Sequence, residues 1–207
     1  MTFETLYRAD GTPYDRYVVV GTSGSGKSTL ANRLAWQTSN RHVELDRLHW
    51  LPGWQERSWD VFCEDVAAAT AGERWVVDGN YSVVRDVVWG RAEAVVWLDL
   101  PFRQVMSQIV VRTLRRGVTG EVVCNGNVES LARGFMSRES IILWAAKTWK
   151  KHRVRNERLL MGQREPAWQH LDVFRVRSGD LRDVEVWRGG ARPQNDADGV
   201  ALVDVRV

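Results

Sequence analysis

The densest chemistry in the chain lies in one run, Gly21-Thr22-Ser23-Gly24-Ser25-Gly26-Lys27-Ser28-Thr29. It fits G-x-x-x-x-G-K-[ST] at every fixed position. Glycines at these places let backbone N–H groups turn inward around a phosphate chain. A helix opening at the lysine adds its free N–H groups and the positive end of its dipole. Lys27 supplies a point charge for β- and γ-phosphates, and the Ser28 hydroxyl can ligate Mg²⁺. The bland alternative is a glycine-rich turn that binds nothing. The apolar strand before the run (Tyr17 to Val20) and the helical pattern after it (Leu30, Ala31, Leu34, Ala35) argue against that. No [NT]-K-x-D guanine signature and no transporter signature loop occurs in the chain. The expected ligands are therefore ATP and Mg²⁺.

A second acid should stand at the carboxyl end of a neighbouring strand. Asp78 and Asp99 are the candidates. Asp78 precedes Gly79, which keeps the turn open, and it is the favoured residue for the metal. Asp99 follows the more apolar strand and reads better as a turn cap before Pro101. Asp46 closes the strand His42 to Leu45, and carboxyl ends of parallel strands face the ligand crevice. It is the expected acid for orienting or deprotonating an acceptor hydroxyl; a turn or N-cap aspartate is the alternative. His49, Trp50 and Trp54 follow it. The two tryptophans flank Pro52-Gly53 and either line an acceptor pocket or fold onto the core. His49 is equally readable as a packed ring.

These residues need a scaffold. Strand patterns at 17–20, 42–45, 75–77, 95–98 and 173–176 alternate with helical patterns at 27–37, 57–71, from 102 onward, and at 138–160. Ile141, Ile142, Ala145 and Trp149 are the expected inward residues of the last helix. That alternation predicts βαβ crossovers and a parallel sheet. Residues 1–14 read as a polar lead-in, 15–188 as one domain and 189–207 as a flexible tail.

The 207 residues bury enough apolar surface to fold without disulfide or metal. A hydrophobic fraction of 44% and a charged fraction of 27% exclude disorder as a description of the whole. No apolar run is long enough for a membrane span, and no basic-then-apolar leader opens the chain. Cys63 and Cys124 lack partners at metal-site spacing. A cytoplasmic, reduced protein is expected. The net charge of +3 is weak support for nucleic acid.

Arg112, Arg115 and Arg116 stand at i, i+3 and i+4, so they share one helix face. Arginines there stabilise charge on a transferring phosphoryl group, with Arg133 and Arg138 able to close from the other side. A solvated basic face is the alternative. The basic run from Lys147 to Arg158, with Lys150, Lys151, Arg153 and Arg155, reads most simply as the exposed face of a helix. Its other reading is a contact surface for nucleic-acid phosphates.

The blocks Gly-Thr-Ser-Gly-Ser-Gly-Lys-Ser-Thr, Glu-Leu-Asp-Arg-Leu-His-Trp-Leu-Pro-Gly-Trp, Val-Val-Asp-Gly-Asn-Tyr, Val-Val-Trp-Leu-Asp-Leu-Pro and Cys-Asn-Gly-Asn-Val-Glu-Ser-Leu together resemble one group. These are the adenylate-kinase-related P-loop proteins labelled DNA topology modulation protein or putative adenylate kinase. The resemblance spans about residues 16–188. It implies a nucleoside-monophosphate-kinase-like α/β fold, a five-stranded parallel sheet and an arginine-bearing lid at about 112–138. It also places Asn80, Tyr81 and Arg85 on the acceptor side, and Arg177 where related kinases hold adenine. The chain departs from adenylate kinases in two places. Ser28-Thr29 follows the lysine where those have Gly-Thr. Asn80-Tyr81-Ser82 follows Asp78-Gly79 where those present an arginine to the acceptor phosphate. The loop is closer in style to shikimate- and gluconate-type kinases.

The expectation is a kinase that moves the γ-phosphoryl group of MgATP to a small-molecule or nucleotide acceptor. The alternative is a non-kinase nucleotide-binding regulator associated with DNA. Oligomeric state is not readable from the sequence.

Overall fold

A computed structural model describes residues 3–128, 141–162 and 165–189. Fourteen regular elements appear among them, in this order: β1 (Arg16–Gly21), α1 (Lys27–Thr38), β2 (Arg41–Glu44), α2 (Leu45–His49), β3 (Trp50–Leu51), β4 (Gln55–Glu56), α3 (Trp59–Ala69), β5 (Trp75–Asp78), α4 (Arg85–Trp89), β6 (Ala94–Leu98), α5 (Phe102–Thr119), α6 (Ile141–Met161), β7 (Asp172–Val176) and β8 (Val184–Trp187). The main sheet has the order β2-β5-β1-β6-β7-β8. Its first five strands are parallel, and β8 pairs antiparallel to β7. The mixed α/β class and the parallel sheet flanked by helices stand as expected. The strand count changes from five to six, because Val184-Glu185-Val186-Trp187 adds an edge.

Parallel strands buried on both faces carry apolar residues on both parities. In β1, Tyr17 and Val19 join a core with Leu30, Leu34, Val96 and Phe174 on the α1 side. Val18 and Val20 join Phe62, Val66, Trp97 and Leu160 under α3 and α6. Phe62 and Val66, one helical turn apart, anchor α3. Full burial of such side chains contributes roughly 1.5–3 kcal/mol each. A smaller cluster of Leu100, Val105, Ile109 and Ala145 fastens α5 to α6. The lead-in is polar only in part, since Phe3, Leu6, Tyr7 and Tyr14 are buried in the α1-side core.

The register lines up the chemistry. Glu44 pairs with Asp78, Asp78 with Val19, Gly21 with Leu98 and Leu98 with Val176. The glycine loop, Asp78, Asp99 and the turn carrying Asp46 therefore leave the sheet at one edge. Among the described residues no helix is long and apolar enough to cross a membrane. Arg133, Arg138, the side chain of Ile141 and the tail from 190 onward lie outside the described residues.

Candidate active site

The glycine loop runs between β1 and α1, as the sequence requires. Gly26 caps α1 with φ 89 and offers no side-chain hydrogen bond, and the first turn of α1 holds no acid. Its leading N–H groups are thus left for an anion. Gly24 has φ +80, and a Cβ there would lie 2.0 Å from Ile109 Cγ1, so α5 presses the loop from outside. Inside it, the hydroxyls of Thr22 and Ser25 are buried without a hydrogen-bond partner. Ser28 and Thr29 are exposed on the open side. Lys27 Nζ donates to Thr22 O at 3.1 Å. Uncapped helix, orphaned hydroxyls and lysine together fit a phosphate chain.

Burial pushes the Lys27 ammonium below its ordinary range, Asp46 and Asp78 oppose that, and Arg112 reinforces it. The four charges therefore share one neighbourhood: Lys27, Asp46 and Arg112 of the expected catalytic residues, and Asp78, the acid expected to serve the metal. Asp78 is 4% exposed and lies 3.2 Å from His42 Nε2. Gly79 follows it with φ +140, and a Cβ there would meet Leu45 at 2.8 Å. The turn is thus closed to any side chain.

Asp99 has a different occupation. Its Oδ2 accepts from Arg175 Nε at 2.9 Å and from Arg175 NH2 at 2.6 Å, and its Oδ1 lies 3.0 Å from Arg153. Arg175 also lies over the Trp97 ring at 4.6 Å. Two guanidiniums balance this buried carboxylate. It is an ion-pair centre rather than a cap on the Pro101 turn, and Asp78 is the strand-end acid facing Lys27. Among the described residues no cluster of three or more His, Cys, Asp or Glu could cage a metal ion. A divalent ion here would rest on Ser28, on phosphate oxygens and on Asp78 through water.

Asp46 lies two residues beyond β2, in the first turn of α2, instead of closing a longer strand. It is exposed, and its Oδ1 accepts from the Tyr81 hydroxyl at 2.8 Å. Burial, followed by the Asp46 charge, raises the Tyr81 pKa, so this phenol stays a donor. His49 is 3% exposed and packs 4.9 Å from Trp59, 5.0 Å from Trp50 and Tyr81, and 5.2 Å from Phe62. Four rings enclose it, which fits the packed reading of this histidine.

Trp50 and Trp54 belong to the β3–β4 hairpin, whose turn Pro52–Trp54 is a 3₁₀ turn. The segment after α5 clamps it. Asn125 Nδ2 donates to Arg47 O and Trp50 O at 2.7 and 2.6 Å, Asn127 Nδ2 donates to Leu51 O at 3.0 Å, and Asn127 Oδ1 accepts from Trp54 N at 2.9 Å. Asn80 braces the glycine loop, accepting from Gly21 N at 3.4 Å and donating to Gly21 O. Asn80 and Tyr81 also line a cleft of about 370 Å³ with Trp59, Ser82 and Val83.

The arginines divide. Arg112 is half-buried toward Lys27. Arg115 and Arg116 both reach Glu121, at 2.8 and 3.5 Å. Arg177 pairs with Glu185 of β8 at 2.8 Å, so β8 holds it in this structure. Arg85 lies over Trp89 at 5.5 Å.

The basic run of α6 is not one exposed face. Lys147, Lys150, Lys151 and Arg158 are exposed, whereas His152, Arg153 and Arg155 are half-buried and Asn156 is buried. His152 Nδ1 lies 3.2 Å from Arg155, and burial, then the charges of Arg155, Lys27 and Lys151, pull its pKa down to about 4. It is a neutral ring beside the phosphate loop. The signal that finds these residues is the helical stripe Ala145, Trp149, His152, Asn156, Leu160, which continues the apolar face through polar residues.

No family model matches the chain, and no curated protein does. Among solved structures, it is similar to a gluconokinase from Sinorhizobium meliloti 1021. That match has 20% identity and TM-score 0.39, covering 64% of this chain and 73% of that one. It is also similar to a sugar kinase from Janibacter sp. HTCC2649, with 21% identity and TM-score 0.35, covering 68% of this chain and 96% of that one. Likenesses this loose add no argument to the sheet and loop already described.

Proposed function

We propose that the chain is an ATP-dependent phosphotransferase acting on a small hydroxyl- or phosphate-bearing acceptor. The observation that carries this is the meeting of Lys27, Asp78, Asp46 and Arg112 at the carboxyl edge of a parallel sheet, with a cleft beside them. A nucleotide-triggered switch needs the loop and the metal acid. It has no use for a second, exposed carboxylate held by a tyrosine.

The roles follow from position. The loop N–H groups, Lys27 and the start of α1 hold the triphosphate. Mg²⁺, when bound, draws charge from the β- and γ-oxygens. Asp46, steadied by Tyr81, orients the acceptor hydroxyl and takes its proton. The acceptor oxygen bonds to the γ-phosphorus as the bond to the β–γ bridging oxygen breaks, and ADP leaves with the electron pair. Arg112 offsets the charge on the moving group. Arg116, one turn along α5, would add to this once freed from Glu121.

The DNA-associated regulator keeps only the exposed Lys147, Lys150, Lys151 and Arg158 in its support. Mass spectrometry of a metabolite panel incubated with MgATP decides between the two. A product heavier by one phosphoryl group supports the kinase. ATP binding and salt-dependent duplex binding with no product would overturn it.

A further inference from the structure

Beside the cleft, on the α3–α6 side of the sheet, Arg85 and Arg155 line one small cavity. Both are half-buried. Burial and then the Arg155 charge lower the Arg85 pKa, and burial lowers that of Arg155. Among the described residues neither makes an ion pair with a carboxylate within 4.0 Å. Asp86 and Glu165 act on Arg85 only at longer range. Two donors here also lack partners: Arg155 Nε and the Nδ2 of Asn156, a residue only 4% exposed. Both residues line a cavity with room of about 10 Å³, the space of one water-sized group. Its wall includes Gly79, Asn80 and Tyr81, and the last two also line the acceptor cleft.

Arg155 NH2 has one acceptor, His152 Nδ1 at 3.2 Å, while its Nε and the Asn156 amide face this small space as donors without a partner among the described residues. Two half-buried like charges repel, and an anion between them offsets that repulsion. We infer that Arg85, Arg155 and Asn156 form an oxyanion subsite for the acceptor, receiving one oxygen of a phosphate or carboxylate carried at the end remote from the hydroxyl that is phosphorylated. The inference rests on the phosphotransferase reading for the word acceptor, while the anion site itself does not depend on it. Planar guanidinium forks suit either oxyanion. The subsite also gives the chain a substitute for the arginine missing after Asp78-Gly79, since Arg85 comes from α4 and Arg155 from α6.

The test uses the whole protein and no turnover. Inorganic phosphate and, separately, malonate are titrated into the Lys27→Ala protein and into wild type saturated with Mg²⁺ and a non-hydrolysable ATP analogue, so that the glycine loop does not answer. Thermal unfolding is the readout. At tenfold excess over its Kd, phosphate should raise the melting temperature by roughly 3–6 °C. Arg85→Gln and Arg155→Gln should each loosen the anion by about 10- to 100-fold. Each variant should also melt close to the parent when anion is absent, because relieved repulsion offsets the lost His152 bond of Arg155 or the lost Trp89 contact of Arg85. A larger response to phosphate assigns the subsite to phosphorylated acceptors, and a larger response to malonate assigns it to acids. An equal response in parent and both variants, or none in either parent form, overturns the subsite. Failure of the ATP analogue to bind wild type would strike the nucleotide reading and leave the Lys27→Ala titration to stand alone.

Discussion

Replacing Gly24 by alanine tests how α5 shapes the phosphate loop. The backbone sits at φ +80, where an L side chain costs roughly 1–2 kcal/mol. The added Cβ would lie 2.0 Å from Ile109 Cγ1 and 2.7 Å from its Cδ1, and 3.3 Å from Val105 O. Ile109 is fully buried in the cluster that joins α5 to α6, so it cannot swing away. Overpacking of this kind costs about 1–3 kcal/mol. The sum, about 2–5 kcal/mol, is a large share of a typical stability of about 5–15 kcal/mol. It should lower the melting temperature by roughly 4–20 °C. Because the loop must move off α5, its N–H groups lose their aim, and ATP affinity should fall about tenfold or more. Ile109→Ala removes both clashing atoms at a cost of its own of about 2–5 kcal/mol. The double variant should therefore be more stable than the sum of the singles by about 1–3 kcal/mol. Thermal unfolding and calorimetric ATP titration of the four proteins complete the cycle. A Gly24→Ala protein with unchanged stability and ATP affinity would refute the packing argument.

Lys27→Ala should keep its fold and lose most of its calorimetric ATP affinity, since among the described residues the amine bonds only Thr22 O and otherwise faces the site. Asp99→Asn removes the carboxylate shared by Arg175 and Arg153 but leaves Arg175 with Glu157 and Glu185 at 3.5 and 3.8 Å, and should cost about 1–3 kcal/mol in denaturant unfolding. The neutral state of His152 bears on acid stability. Its folded pKa of about 4 lies below its unfolded value of 6.5, so the unfolded chain binds the proton first. Its contribution is intact above about pH 6.5 and is lost as pH falls toward 4. Melting temperature against pH should therefore fall less steeply over that window in His152→Gln than in wild type. An unchanged slope would show that His152 is already charged.

The glycine loop was readable because its chemistry is local: nine consecutive residues, a strand before and a helix after. The parallel sheet was readable for the same reason, as buried strands such as Val95 to Leu98 are apolar throughout. β8 was not, since an edge strand with Glu185 and flanking Arg182 and Asp183 carries little apolar signal. The helices α2 and α4 are five residues each, shorter than two turns, so no periodicity announces them. That is why the pattern around Asp46 reads as a strand end rather than a helical turn. His49 was ambiguous because a ring among aromatics reads the same way whether it packs or binds, and only the enclosure by Trp59, Phe62 and Tyr81 decides. The clamp of Asn125 and Asn127 on the hairpin joins residues more than seventy positions apart. No local pattern encodes that.

The central claim is that this edge of the sheet transfers a phosphoryl group to a bound acceptor through Asp46. The most direct measurement is the rate of phosphorylated product formation by Asp46→Asn at saturating MgATP, on the best acceptor from the metabolite panel, with MgATP affinity determined alongside. The substitution keeps the size of the side chain and the Tyr81 hydrogen bond but removes the charge and the basicity. Transfer should fall about 10²–10⁴-fold with MgATP affinity unchanged. A variant that transfers at the wild-type rate would contradict the account.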